Sequence, residues 1–166
     1  YVTEDTTRAD PDTLRGLYSP AIRAGASRVC VSDTVGHPTS DGGAAVVRFI
    51  AGVVEECGGG IGIGWPGHRD RGFAVSNSLA ALEAGATRLH GAAIGIGERV
   101  GNTPMDTLLV NLVLMGYLDR DLSALVEYCD AVSKATGVPI PPNYPIVGKD
   151  AFRTATGVHA AAIVKA

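Results

Sequence analysis

Apolar and polar residues follow one another along this chain in blocks of two kinds. The longer blocks place an apolar residue every three or four positions, as in Ala44 to Glu56 and Phe73 to Glu83, the period of a helix with one buried face. The shorter blocks are almost continuously apolar, as in Val29-Cys30-Val31-Ser32 and Leu89-His90-Gly91-Ala92-Ala93, and predict buried strands. One pattern returns: Ala21-Ile22-Arg23-Ala24-Gly25-Ala26-Ser27-Arg28 is answered by Ala81-Leu82-Glu83-Ala84-Gly85-Ala86-Thr87-Arg88. Each copy reads as a last helical turn, a glycine just past the helix end, and entry into a strand. Between the copies lie a helix over 41–56 and a glycine-diluted strand at Ile61-Gly62-Ile63-Gly64. The repeat therefore spans two β/α units of about 30 residues each, the size of a parallel crossover.

Strands are expected near 1–3, 28–33, 61–66 and 88–94, and helices near 11–24, 41–56, 73–84 and 104–116. Four β/α units in succession, with few charges in the strands, mean a parallel α/β sheet. Polar residues stand just after every strand: Glu4-Asp5, Asp33-Thr34, His68 with Asp70, and Glu98 with Asn102. A doubly wound sheet would gather them at a single switch point, so the pattern favours half of an eight-unit TIM barrel. Gly60, Gly62 and Gly64 lack the dinucleotide-loop spacing and are read as close helix–strand packing. The half-barrel is expected over 1–118 and one more helix over 119–137, with Asp121 as its cap. A Pro-stiffened linker and the start of an accessory helical region fill 138–166, where Asp150 or Thr154 would cap the last helix. The chain opens on Tyr1 with no Met and reads as a piece of something longer.

Composition narrows the function classes. A chain of 166 residues buries a substantial core. A net charge of −3 gives no reason to expect nucleic acid or an anionic membrane as partner. No apolar run approaches the roughly 20 residues that cross a bilayer. Three scattered cysteines, odd in number, fit reduced thiols in a cytoplasmic protein better than a disulfide framework.

The candidate chemistry gathers in two clusters, Gly67-His68-Arg69-Asp70-Arg71-Gly72 and Gly95-Ile96-Gly97-Glu98-Arg99-Val100-Gly101-Asn102. Glycines hold the second loop open for close approach of a ligand, while an acid, a base and a carboxamide are presented. His68 is the best metal-ligand candidate, although the residue two before it, which would share its face, is Pro66 and cannot ligate. Asp70 either joins it or bonds to backbone or to Arg71. Asn102 reaches a metal or ligand at the strand mouth, or caps the helix that follows. Glu98 and Arg99 form a salt bridge or meet a cofactor, Thr34 offers a hydroxyl, and at most one of Glu4 and Asp5 faces the site. His37 and His90 read as loop or core residues.

Together these stretches resemble the family of 2-isopropylmalate synthase, homocitrate synthase and HMG-CoA lyase. The matching segments are Glu4-Asp5-Thr6-Thr7-Arg8, Ser32-Asp33-Thr34-Val35-Gly36, Gly67 to Gly72 with Asn77-Ser78-Leu79-Ala80-Ala81, Gly95 to Asn102, and Thr156-Gly157-Val158-His159. The Gly-Glu-Arg-x-Gly-Asn loop looks most like the 2-isopropylmalate synthase branch. The resemblance implies a Claisen condensation of acetyl-CoA with a 2-oxo acid in amino-acid biosynthesis, such as leucine biosynthesis, assisted by Mg²⁺, Mn²⁺ or Zn²⁺. It makes His68 and Asn102 metal ligands, gives Thr34 the oxo acid, places Glu98 near acetyl-CoA, counts Gly101 among the substrate-binding residues, and makes Glu4 and His159 catalytic. Two departures stand out: Pro66 replaces the first histidine of the family's His-x-His pair, and Arg69 replaces an asparagine, putting a cation near the metal. The strand carrying the family's acidic metal ligand is absent. Weak metal binding and little turnover are therefore expected of this chain alone. A homodimer, or association through exposed barrel edges, is the expected assembly. The other readings are a C–C lyase of the HMG-CoA lyase type and a non-catalytic half-barrel that assembles with a partner.

Overall fold

The computed structural model describes the chain apart from Ala155, Ala166 and the side chains of Val158, His159, Ile163 and Lys165. It divides into two compact units, Tyr1–Arg120 and Asp121–Ala166.

In the first unit, helices and strands alternate: α1 (Pro11–Arg23), β1 (Arg28–Cys30), α2 (Ser40–Glu56), β2 (Gly62–Pro66), α3 (Ala74–Glu83), β3 (Arg88–His90) and α4 (Met105–Leu114). The strands form a parallel sheet in the order β1-β2-β3, with Val29 beside Ile63 and Trp65 beside Leu89. Right-handed crossovers through helices are what parallel neighbours demand. The expected first strand near 1–3 survives as a single parallel bridge, Val2 to Cys30, with the Cys30 amide donating to the Tyr1 carbonyl. Pairing also runs past β1: Val31 N–H donates to Gly64 O and Asp33 N–H to Pro66 O. β3 ends four residues earlier than its apolar run predicts, because the backbone turns at Ile94 (φ 48°) into a 3₁₀ turn at Ala93–Gly95.

Alternation along the strands separates two faces. Val29, Val31, Ile63 and Trp65 point into the core, against Leu14, Tyr18 and Ile22 of α1, Val47, Ile50 and Val53 of α2, and Ala81 of α3. The opposite face carries Arg28, Cys30 and His90. Gly62 and Gly64 lie between them, and a Cβ on Gly64 would stand 2.8 Å from Cys30 Sγ and 3.0 Å from His90 Nε2. These glycines thus clear room for neighbouring strand side chains, not for a helix as the spacing suggested.

Asp10 caps α1, accepting from the Thr13 amide at 2.9 Å, with Pro11 in the first turn. A chain of hydroxyls ties the start of the chain to this layer. Ser32 N–H donates to Thr6 Oγ1, which lies 2.7 Å from Thr3 Oγ1. Thr3 Oγ1 lies 2.6 Å from the Tyr18 hydroxyl, which donates to Cys30 O.

The second unit holds α5 (Leu125–Thr136) and α6 (Gly157–Lys165). α5 begins at Leu125, so Asp121 is not its cap; its carboxylate instead accepts from the Ser123 amide and hydroxyl in the preceding turn. α5 closes on Gly137 at φ 71°, the left-handed position that glycine takes without strain. α6 starts at Gly157, so neither Asp150 nor Thr154 stands immediately before it. Cys30 and Cys57 are free thiols, and Cys129 is buried. No helix among the described residues is long and apolar enough to cross a membrane.

Candidate active site

The site forms where the chain leaves the C-terminal ends of the strands. After β3 the chain folds back, and Gly101 to Thr103 runs antiparallel to Gly67 to Arg69. Arg69 N–H donates to Gly101 O, Thr103 N–H to Gly67 O, and His68 and Asn102 form a bridge. Backbone pairing therefore sets His68 against Asn102, with their Nε2 and Nδ2 atoms 3.2 Å apart. The helix that follows has Pro104 at its cap position, so Asn102 is not a cap; its carboxamide belongs to the strand mouth.

Glycines make this return possible. Gly101 has φ 105°, and a Cβ there would overlap the Gly95 carbonyl. A Cβ on Gly97 would overlap Asn102 Oδ1. Below the loop, buried Asp106 accepts from the Ile94 amide at 2.6 Å and holds that β-branched residue in its left-handed conformation.

The cations take positions other than those the sequence pointed to. Arg69 does not enter the His68 environment: its Nε donates to the Val100 carbonyl, and its guanidinium lies over Gly95. The cation beside His68 is Arg99, whose Nη2 is 3.1 Å from His68 Nδ1. Arg99 also grips Asp70 in a two-point ion pair, Nε to Oδ1 at 2.8 Å and Nη2 to Oδ2 at 3.0 Å. Those hydrogen bonds hold the Asp70 carboxyl below its ordinary value. Asp70 is therefore paired with Arg99 and not with Arg71, which donates to His37 O. Arg99 meets Glu98 only at 3.7 Å, and the Glu98 side chain is 85% exposed.

Thr34 joins from the loop after β1. Its hydroxyl accepts from the Asp5 amide at 2.7 Å, and its carbonyl accepts from Arg99 Nη2 at 2.6 Å. The Asp5 peptide is thereby drawn to the site, while the Asp5 carboxylate turns to Arg8. Glu4 is exposed beside it. Its neighbour Asp5 is left-handed (φ 53°), so Glu4 and Asp5 sit in a bend and not on alternating strand faces. The His159 side chain lies outside the described residues.

Asp33 is named in the sequence only among the polar residues that follow the strands, without a role of its own. It is fully buried, accepts from the His37 amide at 2.9 Å and from Thr7 Oγ1 at 3.3 Å, and leaves Oδ2 without a partner. Burial raises its carboxyl above the ordinary value. Its signal was position: an acid between the apolar strand and Thr34 must either emerge or be buried.

A divalent ion at the strand mouth would find His68 Nε2 and the Asn102 carboxamide. Pro66 adds no donor, and no group of three His, Cys, Asp or Glu side chains able to hold a metal occurs among the described residues. These residues supply part of such a site and do not complete it.

Comparison with known proteins follows the same lines. Residues 1–132 match the HMGL-like family model. The chain is 40% identical over 167 residues to the probable 2-isopropylmalate synthase of Methanopyrus kandleri, covering 99% of this chain and 32% of that protein. It is 36% identical over 167 residues to the homocitrate synthase AksA of Methanothermobacter thermautotrophicus, covering 99% of this chain and 41% of that protein. The chain thus spans about a third to two fifths of the length of these relatives. Among solved structures, hydroxymethylglutaryl-CoA lyase from Pseudomonas aeruginosa matches with a TM-score of 0.69 at 21% identity, over 95% of this chain and 49% of the other. That likeness shows the fold, part of a TIM barrel. By its matched sequence, its parallel β/α units and its relatives, the chain belongs to the HMGL-like family.

Proposed function

We propose that this chain carries the C-terminal half of the catalytic barrel of an acyltransferase that condenses acetyl-CoA with a 2-oxo acid, as the names of its synthase relatives indicate. In this reading a base takes a methyl proton from the thioester. The resulting carbanion attacks the ketone carbon of the oxo acid, and water then cleaves the thioester to release CoA. The observation that carries the reading is the meeting of Thr34, His68 and Asn102 from three successive strand ends.

Each residue has a part that its surroundings support. The Thr34 hydroxyl accepts from Asp5 N–H, which leaves its own proton to donate to the oxo acid's carboxylate. Gly97 and Gly101 let the loop fold tightly against Asn102 and Gly95, and this presents the 85% exposed Glu98 side chain to an approaching thioester. Glu4, exposed next to Asp5, whose amide bonds Thr34, is assigned to the reacting carbons, and His159 is assigned acid–base chemistry. His68 and Asn102 would be the chain's share of a divalent-ion site. The enzyme is read as cytoplasmic, in line with its free thiols, and as part of amino-acid biosynthesis. The sheet face bearing Arg28 and His90, and the edge at β3, are where more chain or a second copy would complete the barrel.

The test is a CoA-release assay on acetyl-CoA with pyruvate, 2-oxoglutarate and a branched 2-oxo acid, paired with detection of each ligand's binding by NMR. CoA release that depends on one 2-oxo acid, with that acid broadening the Thr34 and Asn102 signals, supports the proposal. Cleavage of a hydroxyacyl-CoA without condensation would favour the lyase reading. Binding of neither substrate class would leave the barrel segment without the proposed function.

A further inference from the structure

A branched residue at the foot of the returning loop is held against its conformational preference by a buried carboxylate. Ile94 is 5% exposed and left-handed at φ 48°, and a β-branched residue keeps such a conformation only where its surroundings impose it. Hydrogen bonds pin the chain on both sides. Ile94 N–H donates to Asp106 Oδ2 at 2.6 Å, Gly95 N–H to Ala92 O at 3.0 Å, and Ile96 N–H to Ala93 O at 3.1 Å. The Gly95 carbonyl is thereby aimed at Asn102, whose amide donates to it at 3.1 Å. Asn102 in turn sets its Nδ2 3.2 Å from His68 Nε2. We propose that Asp106 is a positioning residue: by holding Ile94 left-handed it keeps the Gly95 carbonyl on the Asn102 amide, and so sets the Asn102 carboxamide against His68.

Asp106 has a second task, and the two tasks separate by oxygen. Oδ1 accepts from the Thr107 amide at 2.8 Å and from the Thr107 hydroxyl at 3.0 Å, in the first turn of α4. A carboxylate there suits the positive end of a helix, which by itself would explain an acid at this position. It does not explain why Oδ2 reaches twelve positions back along the chain to Ile94. Asp106 is fully buried, so water does not stand in for a lost acceptor. Freed of Asp106, the backbone at Ile94 returns toward negative φ and the Gly95 peptide turns. The Asn102 amide then loses its acceptor, and the carboxamide its fixed place beside His68.

The experiment follows amide hydrogen exchange and heteronuclear NMR spectra of the full 166-residue chain. Wild type is compared with Asp106→Asn, Asp106→Ala, Ile94→Gly and the combination of Asp106→Ala with Ile94→Gly. Asp106→Asn is the selective change. Two Thr107 donors keep its remaining oxygen on the helix side, so the new NH₂ group meets Ile94 N–H donor to donor. Both Asp106 variants are expected to speed exchange of the Asn102 amide at least on the order of 10-fold and to shift the His68 ring signals. Exchange at Leu112 and Val113, late in α4, is expected to stay as in wild type. Glycine takes the left-handed backbone without strain. Adding Asp106→Ala to Ile94→Gly is therefore expected to change Asn102 exchange by less than about 3-fold. Unchanged Asn102 exchange in both Asp106 variants overturns the proposal. So does acceleration of the same size with and without Ile94→Gly, and so does loss of protection that spreads through α4, the mark of a helix-stabilising acid. Circular dichroism checks the fold; should Asp106→Ala lose it, Asp106→Asn takes its place in the comparison with Ile94→Gly. The inference rests on the acyl-transfer reading only for what the loop receives. No readout involves turnover, so absence of CoA release leaves it unaffected.

Discussion

At Gly101 a single methyl group decides whether the loop after β3 closes. The φ of 105° strains any other residue, and a Cβ would press into the Gly95 carbonyl, which is backbone and cannot swing aside. Gly101→Ala should therefore destabilise the first unit by about 3 kcal/mol in urea denaturation, the combined scale of backbone strain and overpacking. It should also broaden the Asn102 amide signal. Pro66→His tests the strand mouth from the other side. Residues 66 and 68 share a face, so the new imidazole would stand beside His68. Mn²⁺ affinity should rise at least on the order of 10-fold, and an unchanged affinity would take His68 away from that ion. The residue types at the site were legible in the sequence, but not their partners. Arg69 and Arg99 are equivalent as letters, and only the backbone decides between them: Arg69 is pinned by pairing with Gly101, whereas left-handed Arg99 turns inward. The burial of Asp33 was not legible because a buried acid beside an apolar strand looks like an exposed one until its neighbours are known.

Among the elements, the helices and parallel strands follow from periodicity, and the strand ends do not. β3 stops at His90 ahead of the bend at Ile94, and Ala92 pairs instead with Thr103 and Met105 in the returning loop, a contact no local pattern announces. The first strand is nearly invisible as a ladder, and Tyr18 shows what replaces the missing pairing. Its hydroxyl, from α1, donates to the Cys30 carbonyl in β1 and meets Thr3. Tyr18→Phe should cost about 1–2 kcal/mol, the price of leaving a buried acceptor unmatched, and should speed amide exchange at Ser32, whose N–H ends the relay. The face opposite the core makes a pH prediction. His90 is held below its ordinary value of 6.5, first by partial burial and then by the charges of Arg88 and Arg28. Its contribution to stability is present above pH 6.5 and is lost as pH falls through the lowered folded-state value, because the unfolded chain takes up the proton first. Arg88→Gln should move the His90 titration toward 6.5 by NMR, and His90→Gln should flatten the decline of stability on the acidic side. A titration unmoved by Arg88→Gln would mean that burial and Arg28 set it without Arg88.

For the whole molecule, the question is which unit carries which capability. The packed core of the first unit runs from Leu14 to Ala86, and every hydrogen bond that assembles Thr34, His68, Asp70, Arg99 and Asn102 lies between residues 5 and 103. None of those interactions draws on the unit that starts at Asp121. A chain of residues 1–120 should therefore fold with the same urea midpoint and keep the amide shifts of His68 and Asn102 in heteronuclear NMR. Binding and turnover should then separate. If Thr34 holds the oxo acid and His159 moves a proton, the shorter chain keeps 2-oxo acid binding at its original strength while CoA release drops below detection. Loss of both would assign the second unit a part in building the strand mouth, and retention of both would remove His159 from the chemistry. Retained binding without release is the outcome expected if the proposed binding group Thr34 lies in the first unit and the proposed proton donor, His159, in the second.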